Sequence, residues 1–489
     1  MHANYLKIDF PDFYHTFFFK VLVESMFKVI ESNDMKTNQI NMTEGAIFSK
    51  LMSFSIPLIL TGLLQLLFTA ADTVVVGRFA GYDSLAAVGA TNALVNLLIN
   101  LFVGLSIGAN VVAANYYGSG QKERLSQTLH TAMLLSVYSG IALTVIGVVC
   151  AKQILQLMNA PEQVLVLSTL YLQIYFGGII ATMIYNFGAA LLRAKGDTKR
   201  ALYILFSAGF INVILNLIFV ILFKMGVAGV AFATVISQCF AAVCIVVLLT
   251  RENDEFKLDL KKLRIDREIF IKIVKIGVPA GVQGIIFSFS NIIIQSSVNS
   301  FGAVTIAGNS AAQSLEGFVY IAMNCCAQGT LTFASQNIGA GRIDRVKKMA
   351  VRAEAFELLL GVVLGNLVVC AGPFLLSFYS KSDLVIAAGM ERLKIICTIY
   401  CLCGIMDCLA NIIRGMGHSL VPMLITLTGV CGSRIIWLFT IFRIEKFHTC
   451  TTIYLSYPIS WIIAIVCLFI SLLSIFRKDF PHSQPICSD

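Results

Sequence analysis

The sequence predicts an all-α polytopic membrane protein, with twelve transmembrane helices in two parallel-repeat six-helix lobes. Three observations carry that prediction. The chain has 489 residues, of which 57% are hydrophobic and only 13% charged, where a soluble domain is nearer a quarter charged. Apolar runs of twenty or more residues recur along the whole chain, each enough to cross ~30 Å of hydrocarbon. A repeat with an offset of 221 to 222 residues relates the second half to the first, the mark of a duplicated architecture. Helices close their own backbone hydrogen bonds, as lipid requires of a spanning segment.

The elements follow in order. Residues 1–46 lack the cationic start, apolar centre and small-residue cleavage site of a signal peptide. Phe13 to Ile30 reads as an amphipathic surface helix, with Lys20, Glu24 and Lys28 at i, i+4 spacing; equally, Met35 or Met42 could open the membrane part. The twelve spans fall near 50–76, 88–113, 128–150, 164–190, 201–223, 228–250, 271–298, 304–333, 353–378, 386–413, 420–442 and 452–476. Short turns containing Gly118–Gly120 and Gly339–Gly341 separate spans 2–3 and 8–9. The expected organisation is an N-terminal extension (1–46), a six-helix lobe (47–250), a cytoplasmic linker (251–270), a second six-helix lobe (271–476) and a cytoplasmic tail (477–489).

Charge sets the orientation. Alternate connections, after even-numbered spans, hold 20 Lys and Arg, with the richest between Arg251 and Lys275. The opposite connections hold about 8, including Arg78, Lys152, Lys224, Lys381 and Arg443. The positive-inside rule then places the first set, and both termini, in the cytoplasm. The net charge of +9 is thus a topology signal and calls for no nucleic acid. Fourteen cysteines include no C-x-x-C pair, and the group Cys397, Cys401, Cys403 and Cys408 reads as small packing residues within span 10.

The repeat is readable residue by residue. SFSIPLILTGLLQ (53–65) faces KIGVPAGVQGIIF (275–287), matching Pro57 to Pro279 and Gly62 to Gly284. GANVVAANYYGSGQKER (108–124) faces GTLTFASQNIGAGRIDR (329–345), and LLRAKGDTKRA (191–201) faces IIRGMGHSLVP (412–422), matching Arg193 to Arg414. An even number of spans per half makes the repeats parallel, as in secondary transporters that rock two bundles about a central cavity. No G-x-x-x-x-G-K-[ST] run supports an ATP-driven pump. No loop resembles a channel filter.

These residues carry a family likeness. Span 1 with LAAVG (85–89), the G-x-G turn at 118–120, RAKGDTK (193–199) and NVILN (212–216) together resemble the multidrug and toxic compound extrusion (MATE) family over about residues 47 to 476. The resemblance implies the MATE fold and export of organic, mostly cationic compounds in exchange for Na⁺ or H⁺. The implied machinery is alternating access between two lobes. No cofactor is implied beyond the coupling ion, Na⁺ or H⁺. The expected partners are a small organic substrate and the lipid bilayer, without nucleic acid and as a monomer. The expected location is the plasma (inner) membrane.

Polar residues at membrane depth are the candidate site. Asp72 is the one charge between Lys50 and Arg78, and an acid at the centre of a spanning helix costs about 2.5–3.5 kcal/mol on insertion scales. Family members carry an aspartate at the corresponding place, which binds the coupling cation with partners from helix 5. The matching residues are Asn212 and Asn216, four apart and on one helix face; some members have Asp at the second. The bland alternative for Asp72 is a neutral, hydrogen-bonded packing residue. At the 222 offset its counterpart is Ile294, so the principal cation site is expected in the N-terminal lobe.

The C-terminal half departs from well-known members. A glutamate some carry in helix 7 falls near Phe287, and an aspartate in helix 10 falls at Cys403. Instead Glu316, Asp407 and Arg434 lie in spans 8, 10 and 11. They either neutralise one another as a structural ion pair or line a cavity and draw in a cationic substrate or a second coupling ion. Gln65, Asn324 and Gln328 are candidate cavity-lining amides. Phe68, Tyr185, Phe287, Phe318 and Met323 could supply a greasy wall for flat cations, or simply face lipid and neighbouring helices. Gly118, Gly120, Gly339 and Gly341 read as turn glycines, and Arg193 and Arg414 as cations suited to helix C-termini. A lipid or lipid-linked oligosaccharide flippase of the same superfamily is the alternative function, and would favour a strongly cationic cavity. An enzyme is not expected: none of the six histidines falls in a nucleophile or metal motif.

Overall fold

The Leu-, Ile-, Val- and Phe-rich spans coil into α-helices in the computed structural model, which describes residues 39–157 and 162–479; no strand occurs among them. In chain order they are α1 (Ile47–Phe79), α2 (Tyr82–Gly118), α3 (Lys122–Leu157), α4 (Glu162–Gly177), α5 (Ile179–Lys195), α6 (Lys199–Leu217) and α7 (Gly226–Thr250). The second half has α8 (Arg267–Asn299), α9 (Ala303–Gly339), α10 (Ile343–Cys370), α11 (Gly372–Ser377), α12 (Asp383–Ile396) and α13 (Cys401–Gly415). It closes with α14 (Leu420–Ile425), α15 (Ser433–Phe439) and α16 (Cys450–Asp479). The amphipathic helix expected at 13–30 lies outside the described residues.

Among the described residues nine helices or helical runs are long and apolar enough to cross a membrane, and two bent pairs make eleven. The bent pairs are spans 4 and 10, broken by 49° near Gly178 and 48° near Tyr400, at matching places in the two halves. The eighth place belongs to α9, long enough to span but threaded with Asn309, Gln313, Glu316, Asn324 and Gln328. Its polarity suits an interior position: most of it is buried. Exposed Val74, Leu222, Phe374 and Ile470 form part of the outer apolar surface that lipid chains would cover.

The repeat extends to backbone angles. Gly81, Gly120 and Gly196 have φ of 86°, 68° and 90°, and Gly302, Gly341 and Gly417, each 221 residues on, have 90°, 70° and 95°. Only glycine takes that region freely. Gly118 and Gly339 serve differently from the turn role the sequence suggests. Each ends a helix, and a Cβ there would stand 1.9 Å from Gln336 O and 2.0 Å from Asn115 O respectively. Asn115 and Gln336 are themselves repeat mates, so the two contacts are related by the pseudo-twofold axis.

This contact shuts the basic end of the molecule, where the turns at 118–122 and 339–343 lie. Thr332 donates to Asn110 Oδ1 at 3.1 Å and Gln336 Nε2 to Ala194 O at 2.7 Å, joining the halves. The segment before α1 lies across the same seam. Ile40 N donates to Gly196 O at 3.2 Å and Met42 N to Gln336 Oε1 at 3.2 Å, while Arg345 donates to the carbonyls of Met42, Glu44 and Gly45.

Candidate functional site

The N-terminal cluster is assembled by three helices. Asn212 and Asn216 stand one turn apart on α6, and a π-helical turn (Ile218–Leu222) follows directly; such turns are frequent at functional positions. Asn216 Nδ2 donates to Asp72 Oδ1 on α1 and, at 3.2 Å, to Asn212 Oδ1. Asn212 Nδ2 in turn donates to Thr234 Oγ1 of α7 at 3.4 Å. The structure thus brings together all three residues expected there and adds Thr234. Nothing in the sequence marks Thr234, because a threonine in a helix ordinarily bonds its own backbone, as this one also does to Val230 O. Tyr171 and Tyr175 of α4 stack at 6.0 Å within electrostatic reach of Asp72. Asn216 is fully buried, and its Oδ1 has no hydrogen-bonding partner. An unpaired acceptor beside a carboxylate is the donor set a cation or a proton would complete.

A second polar region surrounds a cavity of about 430 Å³ in the C-terminal half, lined among others by Asn100, Phe287, Glu316, Tyr320, Asp407 and Arg434. Asn324 Nδ2 lies 3.5 Å from Asp407 Oδ2 and 3.3 Å from Tyr320 Oη, and Gln328 Nε2 donates to Asn324 Oδ1 at 2.8 Å. Asp407, Asn324 and Gln328 therefore form one chain of polar groups. Arg434 is buried, donates to Ser460 Oγ at 2.9 Å and stands 4.2 Å over the Tyr457 ring.

Glu316 pairs elsewhere than the sequence suggests. Arg392 of α12 meets it with two nitrogens at 2.7 Å each, and a third contact reaches Asn309 Oδ1 at 2.9 Å. The ion pair is Glu316–Arg392, with Arg434 outside it. A sequence signal existed: a buried glutamate needs a cation, and Arg392 falls within span 10. It was hidden in the ERLK run at 391–394, which looks like the charged edge of a helix. Arg392 thus adds a base that the set Glu316, Asp407 and Arg434 leaves out, and it neutralises Glu316.

Other expected residues fall outside the cavity. Gln65 is exposed on α1 and absent from its lining, and Asn324 and Gln328, though joined to Asp407, are not among the lining residues either. Of the five apolar candidates only Phe287 lines it. Phe68 packs on Gly209, Tyr185 donates to Ala201 O at 3.2 Å, Met323 lies in the core and Phe318 is exposed. Arg414 is buried and ties α13 to α8 through Gln283 Oε1 at 2.5 Å. No disulfide and no metal-holding group of His, Cys, Asp or Glu occurs among the described residues.

Two halves of like backbone, meeting over polar clusters buried at membrane depth, define a multi-pass membrane transporter. The MatE family profile matches residues 57–218 and 279–440, once per half; the chain belongs to the MatE family. It is similar to the probable multidrug resistance protein YoeA of Bacillus subtilis, 26% identical over 87% of this chain and 93% of that one. It also matches the probable multidrug resistance protein NorM of Thermotoga maritima at 22% identity, over 79% and 84% of the two chains. Among solved structures, a multidrug resistance MATE transporter described as outward-facing superposes with a TM-score of 0.84 at 19% identity, covering 90% of this chain and 99% of its own. That likeness speaks for the fold.

Proposed function

We propose that the protein is a secondary active multidrug efflux antiporter, exporting organic cationic compounds in exchange for Na⁺ or H⁺ by alternating access. The observation that carries this reading is the buried chain Asp72–Asn216–Asn212–Thr234, with its unpaired Asn216 oxygen. A cation there satisfies groups that the protein leaves unsatisfied, and occupancy ties α1 to α6 and α7. Ion and substrate then act as two ligands on one two-state element, each biasing the other. The names of the relatives support the export of drugs, and Asp407 is the acid that a cationic substrate would meet in the cavity. The lobes that rock are 47–250 and 271–476, in the plasma membrane with both termini cytoplasmic, as the loop charges argue. In that orientation the shut basic end makes this the outward-facing conformation.

Dye movement in inverted vesicles under an imposed Na⁺ or H⁺ gradient tests the reading and identifies the ion. Asp72→Asn is expected to abolish gradient-driven dye movement while the protein still folds and inserts. Wild-type rates in that variant would sink the assignment. Translocation of a labelled lipid headgroup without any gradient would favour the flippase instead.

A further inference from the structure

Glu354 and Glu357 take no part in either cluster described above. They stand one turn apart on α10, facing α9 and α13, in the interior of the C-terminal half. Glu357 is 1% exposed and neither of its carboxyl oxygens has a hydrogen-bonding partner, while the buried Glu354 oxygens have no partner other than the Cys408 thiol among the described residues. The fold makes room for them: Glu357 Oε2 lies 2.8 Å from where a Cβ on Gly404 would stand, so any side chain at 404 would crowd the carboxyl. Independently, the fully buried Oγ of Ser55 on α1 adjoins the Cys326 thiol, which is itself within electrostatic reach of Glu357.

Arg193 acts on Cys325 and Arg414 on Asp407, but among the described residues no cation acts on either glutamate. From α9, Cys325 and Cys326 face the pair; from α13 come Cys403, Asp407 and Cys408, whose thiol adjoins Glu354. From α1 the neighbours are Ser55 and the Phe48 ring, which packs on Phe356. The turn Cys397–Ile399 offers Cys397, whose charged neighbours are Glu316 and Arg392. No ion pair to either glutamate occurs among the described residues.

Two bare carboxylates cannot share such a place, and two agents could relieve them. A metal cation needs a shell of converging ligands, and no such group is present among the described residues. A proton needs only one lone pair. We propose that Glu354 and Glu357 form a proton-binding site of the C-terminal lobe, loaded in this closed-basic-end conformation and unloaded when the lobes rearrange. Each proton sits on a carboxyl oxygen and leaves to water, so unloading requires water to reach the two carboxyls, whose oxygens are buried here. The site would give the antiporter a second coupling position besides Asp72, and this coupling role rests on the antiport reading.

Two measurements on the full chain in lipid test it. Infrared spectra at neutral pH should show protonated carboxyl C=O absorption, one component of which disappears in Glu357→Gln and another in Glu354→Gln. Unchanged spectra in both variants would overturn the proton site. In proteoliposomes loaded with ethidium, the protons moved per dye molecule should fall by one in Glu357→Gln, a ratio that a slower dye rate does not alter. An unchanged proton count with the infrared component lost would show a permanently neutral, structural pair and overturn the coupling role. If the wild type moves no dye under any gradient, the antiport reading fails, while the infrared result still decides the proton site.

Discussion

Gly118→Ala tests how the basic end closes. The added Cβ would lie 1.9 Å from Gln336 O and 2.9 Å from Gln336 Cα, where real Cβ atoms essentially never come closer than 3.0 Å. The α9 backbone must therefore withdraw by about 1.1 Å. It is poorly placed to do so, because Gln336 is held by Ala194 O at 2.7 Å on one side and by Met42 N at 3.2 Å on the other. Overpacking of this kind costs about 1–3 kcal/mol, which shifts a two-state equilibrium roughly 5–150-fold toward the open basic end. Spin labels at exposed Gln121 and Asp344, in a cysteine-free background, report the separation of the two turns. The variant should transfer population to longer distances and slow transport. Gly339→Ala should do the same, since its Cβ would stand 2.0 Å from Asn115 O. A distance distribution identical to wild type in both variants would refute the close-approach argument.

Three further outcomes are expected. Arg392→Met leaves Glu316 buried without its cation and should cost about 3–5 kcal/mol, whereas Glu316→Leu combined with Arg392→Met should melt higher than either single variant; additive losses in thermal melting would contradict this. Thr234→Val removes the hydroxyl behind Asn212, worth about 0.5–1.5 kcal/mol, and should weaken cation-dependent substrate release severalfold in an ion titration. The Lys122 hydrogen bond and charge hold the Glu255 carboxyl below its ordinary 4.5. That contact therefore stabilises the linker above pH 4.5 and is lost as the pH falls through the lowered value; proteolysis of the 251–266 segment should rise below that point, whereas Lys122→Ala should be cleaved faster already above pH 4.5 and show a smaller rise.

The cluster at Asp72 was legible because three signals coincided: an acid in an apolar run, two asparagines four apart, and a family pattern. Thr234 carried no such signal, since its hydroxyl also bonds Val230 O within its own helix. Glu354 and Glu357 escaped notice because they sit at the start of span 9, where acids pass as interfacial. Only the approach of α9 and α13 shows them enclosed. Likewise Gly118 and Gly120 look alike as turn residues. The structure separates them, one needed for a backbone contact across the seam and the other for a positive φ.

Local and periodic properties were settled by the chain itself. Hydropathy fixes which segments can enter lipid, since the cost is incurred residue by residue. The 221-residue repeat fixes that the halves share a backbone, down to paired glycine angles. Tertiary structure decided which polar groups meet. Glu316 had Arg392 and Arg434 both within the same half, and side-chain identity cannot choose between them. That choice depends on the bend of span 10 and the packing of α9 on α12, which set distances of a few ångströms between residues 76 positions apart. Hydrogen bonds and ion pairs at membrane depth are decided at that scale, below anything a hydropathy pattern can resolve.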